Sequence, residues 1–309
     1  MRVIRTPQLR AQRSNAALAF SAEYVNQHAF TALSTTNALT SWGAFLPISA
    51  PAGGGYRAVS STTKAFAALS QYGGAVSWGT ASSGGNNAPG GTGYTAIYSN
   101  REAFVAVASD GSLYSWGSSN AGGSDVGGAS KAPSVTGVTT VASTDHAFAA
   151  LAADGSVVAW GDPGEGGEGE PTTNGYTRLF SSTDTFVAMQ GNPGSLYVWG
   201  TERNSFLSAS LSGVFTEVYS NDEAWVAMKS DGSLHTWGPA ASGGTGAPAN
   251  NNINPFIKVF SNARAFVAMR ADGVRAHSSA RRRVRLPPSD RAVSAFADAH
   301  FAPPRYRRR

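Results

Sequence analysis

The chain has 309 residues, 41% hydrophobic and only 14% charged, with 36 glycines and no cysteine, which excludes disulfides and thiolate metal sites and favours tight turns over long solvated helices. Its net charge of +5 is an uneven average: residues 1–22 hold four Arg and no acid, residues 275–309 hold ten Arg against two Asp, and the stretch between holds ten basic against 17 acidic residues. A body of that sign is a poor footprint for nucleic acid, which needs clustered Lys and Arg on a folded surface, so any affinity for polyanions is confined to the two ends. No run of about 18 apolar residues occurs, so no membrane-spanning helix is expected. Nothing in the composition fixes a cellular compartment.

In chain order, MRVIRTPQLRAQR (1–13) comes first and reads as a disordered basic leader, with a transit peptide as the other reading. From 14 to 274 a single unit recurs. Its marker is AFTAL (29–33), AFAAL (65–69), AFVAV (103–107), AFAAL (147–151), TFVAM (185–189), AWVAM (224–228) and AFVAM (265–269). The marker aromatics Phe30, Phe66, Phe104, Phe148, Phe186, Trp225 and Phe266 are spaced by 36, 38, 44, 38, 39 and 41 residues, so connecting loops vary while the unit does not. Trp-Gly follows in six copies, at Trp42, Trp78, Trp116, Trp160, Trp199 and Trp237, and the seventh lacks it. A third piece precedes the marker and ends at Ser61, Ser99, Ser143, Ser181, Ser220 or Ser261; only the first copy lacks it.

Each unit thus reads as three short strands. AFVAM is apolar at both alternating positions, so both sheet faces are expected to be buried. Asp110-Gly111, Asp154-Gly155, Asp231-Gly232 and Asp272-Gly273 suit tight hairpins between the second and third strands. Small antiparallel sheets of about 40 residues, sandwiched between like neighbours, predict an all-β fold, a seven-bladed β-propeller with three-stranded blades. Residues around Ala17–Ser21 are expected to complete the last blade.

The pattern S-x-x-x-A-F-x-A-L-x-x-D-G-S-L-x-x-W-G, with Gly-rich sequence after the Trp, resembles the regulator of chromosome condensation (RCC1) repeat, especially the short form seen in a propeller-shaped β-lactamase inhibitor protein. The resemblance covers about residues 25–274 and implies a seven-bladed propeller. It departs from the longer family pattern in carrying Ser where Gly is usual before the second strand, and in keeping the usual His ahead of that strand only at His28 and His146.

Chemistry is sparse. The Asp-Gly aspartates occur in four of seven copies and read as turn formers rather than a calcium rim. GEGGEGEP (164–171) occurs once, where calcium rolls need tandem copies, and reads as an acidic loop. His28, His146, His235, His277 and His300 lack metal-site spacing, and the glycine-rich stretch 84–93 has no Lys to bind phosphate. The Trp residues of Trp-Gly read as packing between blades. No catalytic, cofactor-binding or metal-ligating residue is therefore assigned, and no cofactor is expected.

The segments after each Trp-Gly differ from copy to copy and are expected to gather on one rim as a mosaic able to meet a large partner. The reading is a non-enzymatic protein-protein interaction module with an unspecified protein partner; the alternative, implied by longer relatives, is a guanine-nucleotide exchange factor for a small GTPase. After Gly273 the template breaks into VRAHSSARRRVRLPPSDR, and 275–309 reads either as a disordered Arg-rich tail, the only other place for nucleic acid besides the leader, or as a frame-shift artefact. Within it RAVSAFADAHFA (291–302) resembles RAVSSTTKAFAA (57–68) and reads as a damaged eighth copy.

Overall fold

A computed structural model of the chain describes residues 26, 29–43, 49–124, 129–200, 209–250 and 254–277. All of them fall in the compact unit Met1–Ser279; the leader and the Arg-rich stretch beyond 277 lie outside the described residues.

Each repeat folds into antiparallel strands, and units 1, 2, 3, 4 and 7 each form a sheet of their own. Unit 3 illustrates the plan: Tyr94–Ser99, Ala103–Ala108 and Leu113–Gly117 pair in that order, with Ser99 opposite Phe104 and Phe104 opposite Trp116. Its hairpin forms because Gly111 takes φ +79°, and because a Cβ there would lie 2.3 Å from the Val138 backbone nitrogen. Asp110 secures the same turn by accepting the Ser112 backbone N–H at 2.9 Å. Units 2, 4 and 7 are likewise three-stranded, and in unit 1 the described residues form two strands, Ala29–Leu33 and Leu39–Gly43. The third strand of unit 7 is Arg275–His277, running past the boundary expected at 274 although its Trp-Gly is missing. In five of the first strands a register shift follows an aromatic residue, Tyr56, Tyr94, Tyr176, Phe215 or Phe256, and all five rings are buried.

Units 5 and 6 depart from the plan. The strand Ala209–Ser220 pairs through its first half with Gly194–Gly200 of unit 5 and through its second half with Trp225–Lys229 of unit 6, fusing the two into one six-stranded sheet. The stretch 201–213, expected as a rim loop, is therefore partly a strand that covers the edge of unit 5.

The alternation within each second strand sets the packing. In unit 3, Ala103, Val105 and Val107 face unit 4, where they meet Phe148 and Trp160; Phe104 and Ala106 face unit 2, where they meet Ala65, Ala67 and Leu69. The same contact recurs at the junctions between consecutive units: in five of them an aromatic pair of one unit seats on the face made by alternate marker-strand residues of the unit before it, and at the sixth Phe266 of unit 7 does so alone. Within each pair the marker aromatic stacks on its cross-strand Trp, at 5.2 Å between ring centroids for Phe104 and Trp116 and 5.4 Å for Phe148 and Trp160. Burying each such ring contributes about 4 to 6 kcal/mol as an upper bound.

Candidate functional site

One end of the sheets gathers two kinds of segment. The turns between first and second strands lie there, and so do the starts of the loops that leave Trp-Gly. Backbone hydrogen bonds join them within a unit: Thr80 N–H to Lys64 C=O at 2.9 Å, Ser118 to Glu102 at 3.0 Å, and Asp162 to His146 at 3.0 Å. Between units the turns are stitched in series, Thr63 N–H to Arg101 C=O, Arg101 to Asp145, Asp145 to Thr183, and Thr183 to Asp222, at 2.7 to 3.2 Å. Serine hydroxyls add a parallel seam, with Ser99 donating to the Ser61 carbonyl at 2.9 Å, Ser143 to Ser99 at 3.0 Å and Ser220 to Ser181 at 3.0 Å. Units 2 to 6 thus present one continuous, hydrogen-bonded end.

The loops begin alike, contrary to the expectation that they vary throughout. Each of Ala81–Ser83, Ser119–Ala121, Pro163–Glu165 and Ala240–Ser242 is a short 3-10 turn closed by a glycine in the left-handed region. The carbonyl of that glycine accepts the indole N–H of the next unit: Trp116 to Gly84 at 3.1 Å, Trp160 to Gly122 at 3.0 Å, Trp199 to Gly166 at 3.0 Å. No larger residue fits, since a Cβ on Gly84 would sit 2.5 Å from the Phe104 ring and one on Gly85 would sit 2.3 Å from the Gly79 carbonyl. A buried polar residue before each second strand pins the turn from below: Asn100 donates to the Ala121 carbonyl at 2.7 Å and Asn221 to that of Ser242 at 2.7 Å, while Thr62 and Thr144 reach Ser83 and Glu165. The sequence carried a signal for this device, the Gly-Gly at 84–85, 122–123, 166–167 and 243–244, always beginning six residues past the Trp of Trp-Gly. Variation is left to the distal parts of the loops, about 86–93, 124–137, 168–175 and 245–255.

The electrostatics of this end are lopsided. It carries Glu102, Asp145, Asp162, Glu165, Asp184, Asp222 and Glu223 against Lys64, Arg101 and Arg264, all partly or fully exposed. Arg101 pairs with Asp145 at 3.1 Å, and Glu223 accepts the Ser242 hydroxyl at 2.7 Å. Glu165 reaches His146 twice, accepting its backbone N–H at 2.8 Å and meeting ring Nδ1 at 3.0 Å. The hydrogen bond to Glu165 holds the His146 pKa above its ordinary value, with burial opposing and the charges of Glu165, Asp145 and Glu102 reinforcing. His235 goes the other way, pushed down by burial and by Lys229.

The residues weighed for chemistry have structural partners. Asp110, Asp154, Asp231 and Asp272 sit on four separate hairpins at the opposite end, each accepting the backbone N–H two residues on. The Ser112 hydroxyl and N–H hold the Asp110 carboxyl below its usual value, and Asp154 and Asp231 behave likewise with Ser156 and Ser233. Among the described residues no group of three or more His, Asp or Glu could hold a metal ion. In GEGGEGEP, Gly164 and Glu165 belong to a 3-10 turn and Glu168 is exposed. A small apolar hollow lies between units 6 and 7, and a shallow open one lies beside Glu170 and Thr172. Neither gathers reactive groups. No helix among the described residues is long and apolar enough to cross a membrane.

The described residues define an all-β repeat protein built of small antiparallel sheets, with those of units 5 and 6 joined into one. RCC1 propellers are among the solved structures it is similar to. Prp20p from Saccharomyces cerevisiae, described with its binding properties to Gsp1p and histones, is 15% identical over 79% of this chain and 81% of that one, with a TM-score of 0.46. A structure of Kap60 bound to yeast RCC1 (Prp20) matches at 12% identity over 90% and 86%, TM-score 0.46. The CRINKLY WD40 ectodomain of the Arabidopsis thaliana receptor kinase ACR4 matches at 14% over 80% and 89%, TM-score 0.44. No family model matches the chain, and no curated protein matches it in sequence.

Proposed function

We infer that the chain is an RCC1-like propeller of seven blades, one per repeat, and that it serves as a non-enzymatic protein-interaction module whose partner meets the end carrying the strand-joining turns and loop starts. The observation that carries this reading is the seam from Thr63 to Asp222, which holds the turns of five successive units in one fixed surface beside the variable loop segments. Rigid scaffolding under variable loops is the arrangement by which repeat proteins meet large partners. The excess of carboxylates there favours a partner with a basic docking surface. The polar groups at this end are engaged in turns, caps and stitches, which supports binding over catalysis. The exchange-factor reading has no specific residue among the described ones to favour it.

The test uses the full chain as bait. Partner protein captured by the wild type is expected to bind about tenfold more weakly, chiefly through slower association, when Asp145→Asn, Asp222→Asn and Glu223→Gln are combined. Arg57→Gln with Tyr72→Ser, at the opposite end, should leave binding within about twofold. Equal losses from both variants, or faster nucleotide release from small GTPases by the wild type, would contradict the reading.

A further inference from the structure

The third strand of a unit is an edge of its sheet, and units 3, 4 and 5 treat that edge in three ways. In unit 4 the hydrogen bonds from Ala152 N–H to Ser156 C=O and from Asp162 N–H to His146 C=O, both 3.0 Å, fix the phase of the ladder between Ala147–Ala152 and Val157–Gly161. Antiparallel alternation then turns the N–H and C=O of Val158 and Trp160 inward and those of Val157 and Ala159 outward. The matching groups of unit 3 are capped. Ser115, aligned with Ala159, donates its N–H to the Ser130 hydroxyl at 2.8 Å, and its own hydroxyl accepts the N–H groups of Lys131 and Ala132 at 3.1 and 3.0 Å. Those of unit 5 are covered by a strand, with Leu196 opposite Leu211 and Val198 opposite Ala209. Unit 4 has neither device: Ala159 has no hydroxyl to gather a loop, and the connection 162–175 has 14 residues against 20 for 118–137. The outward groups of Val157 and Ala159 meet no partner among the described residues.

We propose that an extended, basic peptide of a partner protein adds as a further strand to the outer edge of unit 4. Three observations select that occupant. The strand Ala209–Ser220 shows that the edge of the next unit accepts one more strand, and outward N–H and C=O groups are what a guest strand pairs with. Room lies beside the open edge, in the hollow with Ser156 and Val157 on one wall and Glu170, Pro171, Thr172 and Asn174 on the other. The charge is one-sided: from Asp154 to Tyr176 the sequence holds five carboxylates and no Lys or Arg. Asp154 and Asp162 are taken up by their own turns and Glu165 by His146, whereas Glu168 and Glu170 pair with no cation or donor among the described residues. Lys or Arg on a guest strand supplies the missing counterpart. The hollow adjoins the Asp154-Gly155 hairpin, at the opposite end from Asp145 and Asp222, so this inference does not rest on the reading of the partner-binding end.

Hydrogen exchange on the full chain reads the edge directly. In dilute protein alone the Val157 and Ala159 amides are expected to exchange at least about tenfold faster than the inward Val158 and Trp160 amides. The probe is an eight-residue peptide alternating Arg and Val and blocked at both ends. Its addition should slow Val157 and Ala159 by about tenfold or more, and the same peptide with every backbone nitrogen methylated should bind about tenfold more weakly at equal charge. Ala159→Pro removes the outward N–H and leaves the inner ladder in place, so it should weaken binding about tenfold. If that variant loses the strand signature in circular dichroism, the methylated peptide alone decides. Glu168→Gln with Glu170→Gln should weaken binding about threefold or more and flatten its salt dependence. Two results would overturn the proposal. Val157 and Ala159 amides already protected in the free chain would mean that the chain covers its own edge, or a second copy does if protection grows with concentration. Equal binding of the methylated peptide would mean that charge alone, not strand pairing, holds it.

Discussion

Units 3 and 4 and units 1 and 7 carry nearly the same marker strands and very different surroundings. Phe104 and Phe148 are fully buried, whereas Phe30, in the matching position and with the same Trp stacked on it, is 48% exposed. Cross-strand pairing is intact in both places, with Phe30 opposite Trp42 as Phe104 is opposite Trp116. The sheet is thus a local product of alternation and turn chemistry, while its stability comes from the neighbour it stacks on.

That contrast can be broken most severely at the rings themselves. Phe148→Ala should cost about 3 to 5 kcal/mol in urea unfolding, and Phe30→Ala in dilute single chains less than about 1 kcal/mol. Equal costs would mean the first unit is covered after all. Next comes the glycine that closes each loop. Gly84 and Gly91 share a φ of +88°, but a Cβ on Gly84 meets Phe104 while one on Gly91 meets nothing within 4 Å. Gly91→Ala should cost about 1 to 2 kcal/mol for backbone strain alone, and Gly84→Ala about 1 to 3 kcal/mol more. Trp160→Phe isolates the indole hydrogen bond to Gly122 and should cost about 1 to 2 kcal/mol, against almost nothing for Trp42→Phe, by the same unfolding measurement.

The smallest expected effect is a pH dependence. The folded His146 pKa is raised, first by its hydrogen bond to Glu165, so the pair's contribution is complete below the unfolded value of about 6.5 and is lost as pH rises through the folded value. Melting temperature should therefore fall slightly more between pH 6 and pH 8 in the wild type than in Glu165→Gln. An identical slope in the variant would remove this pair from the account.

Much of the sheet architecture was legible because it is written in side chains. Phe104, Asp110, Gly111 and Trp116 recur at matching positions, and each has a physical task that its residue type performs. The end proposed to meet a partner was only half legible. Its loops could be found from their variability, but the seam through Arg101, Asp145 and Thr183 is made by backbone N–H and C=O groups, which every residue carries and no pattern reports. The Gly-Gly clasp was visible and was masked by a general richness in glycine. The strand Ala209–Ser220 was hidden for another reason: Ala209 and Leu211 alternate with serines, a strand period, inside a stretch whose place after Trp-Gly marked it as loop.

Native-state hydrogen exchange on dilute full-length chains tests most directly the claim that stacking between units, and not the sheet alone, carries stability. Amides of Ala103–Ala108 and Ala147–Ala152, flanked on both sides, are expected to exchange only through global unfolding. Those of Ala29–Leu33 and Ala265–Arg270, each with one face open, are expected to exchange faster by about tenfold or more. Uniform protection across all four strands at that dilution would contradict the account.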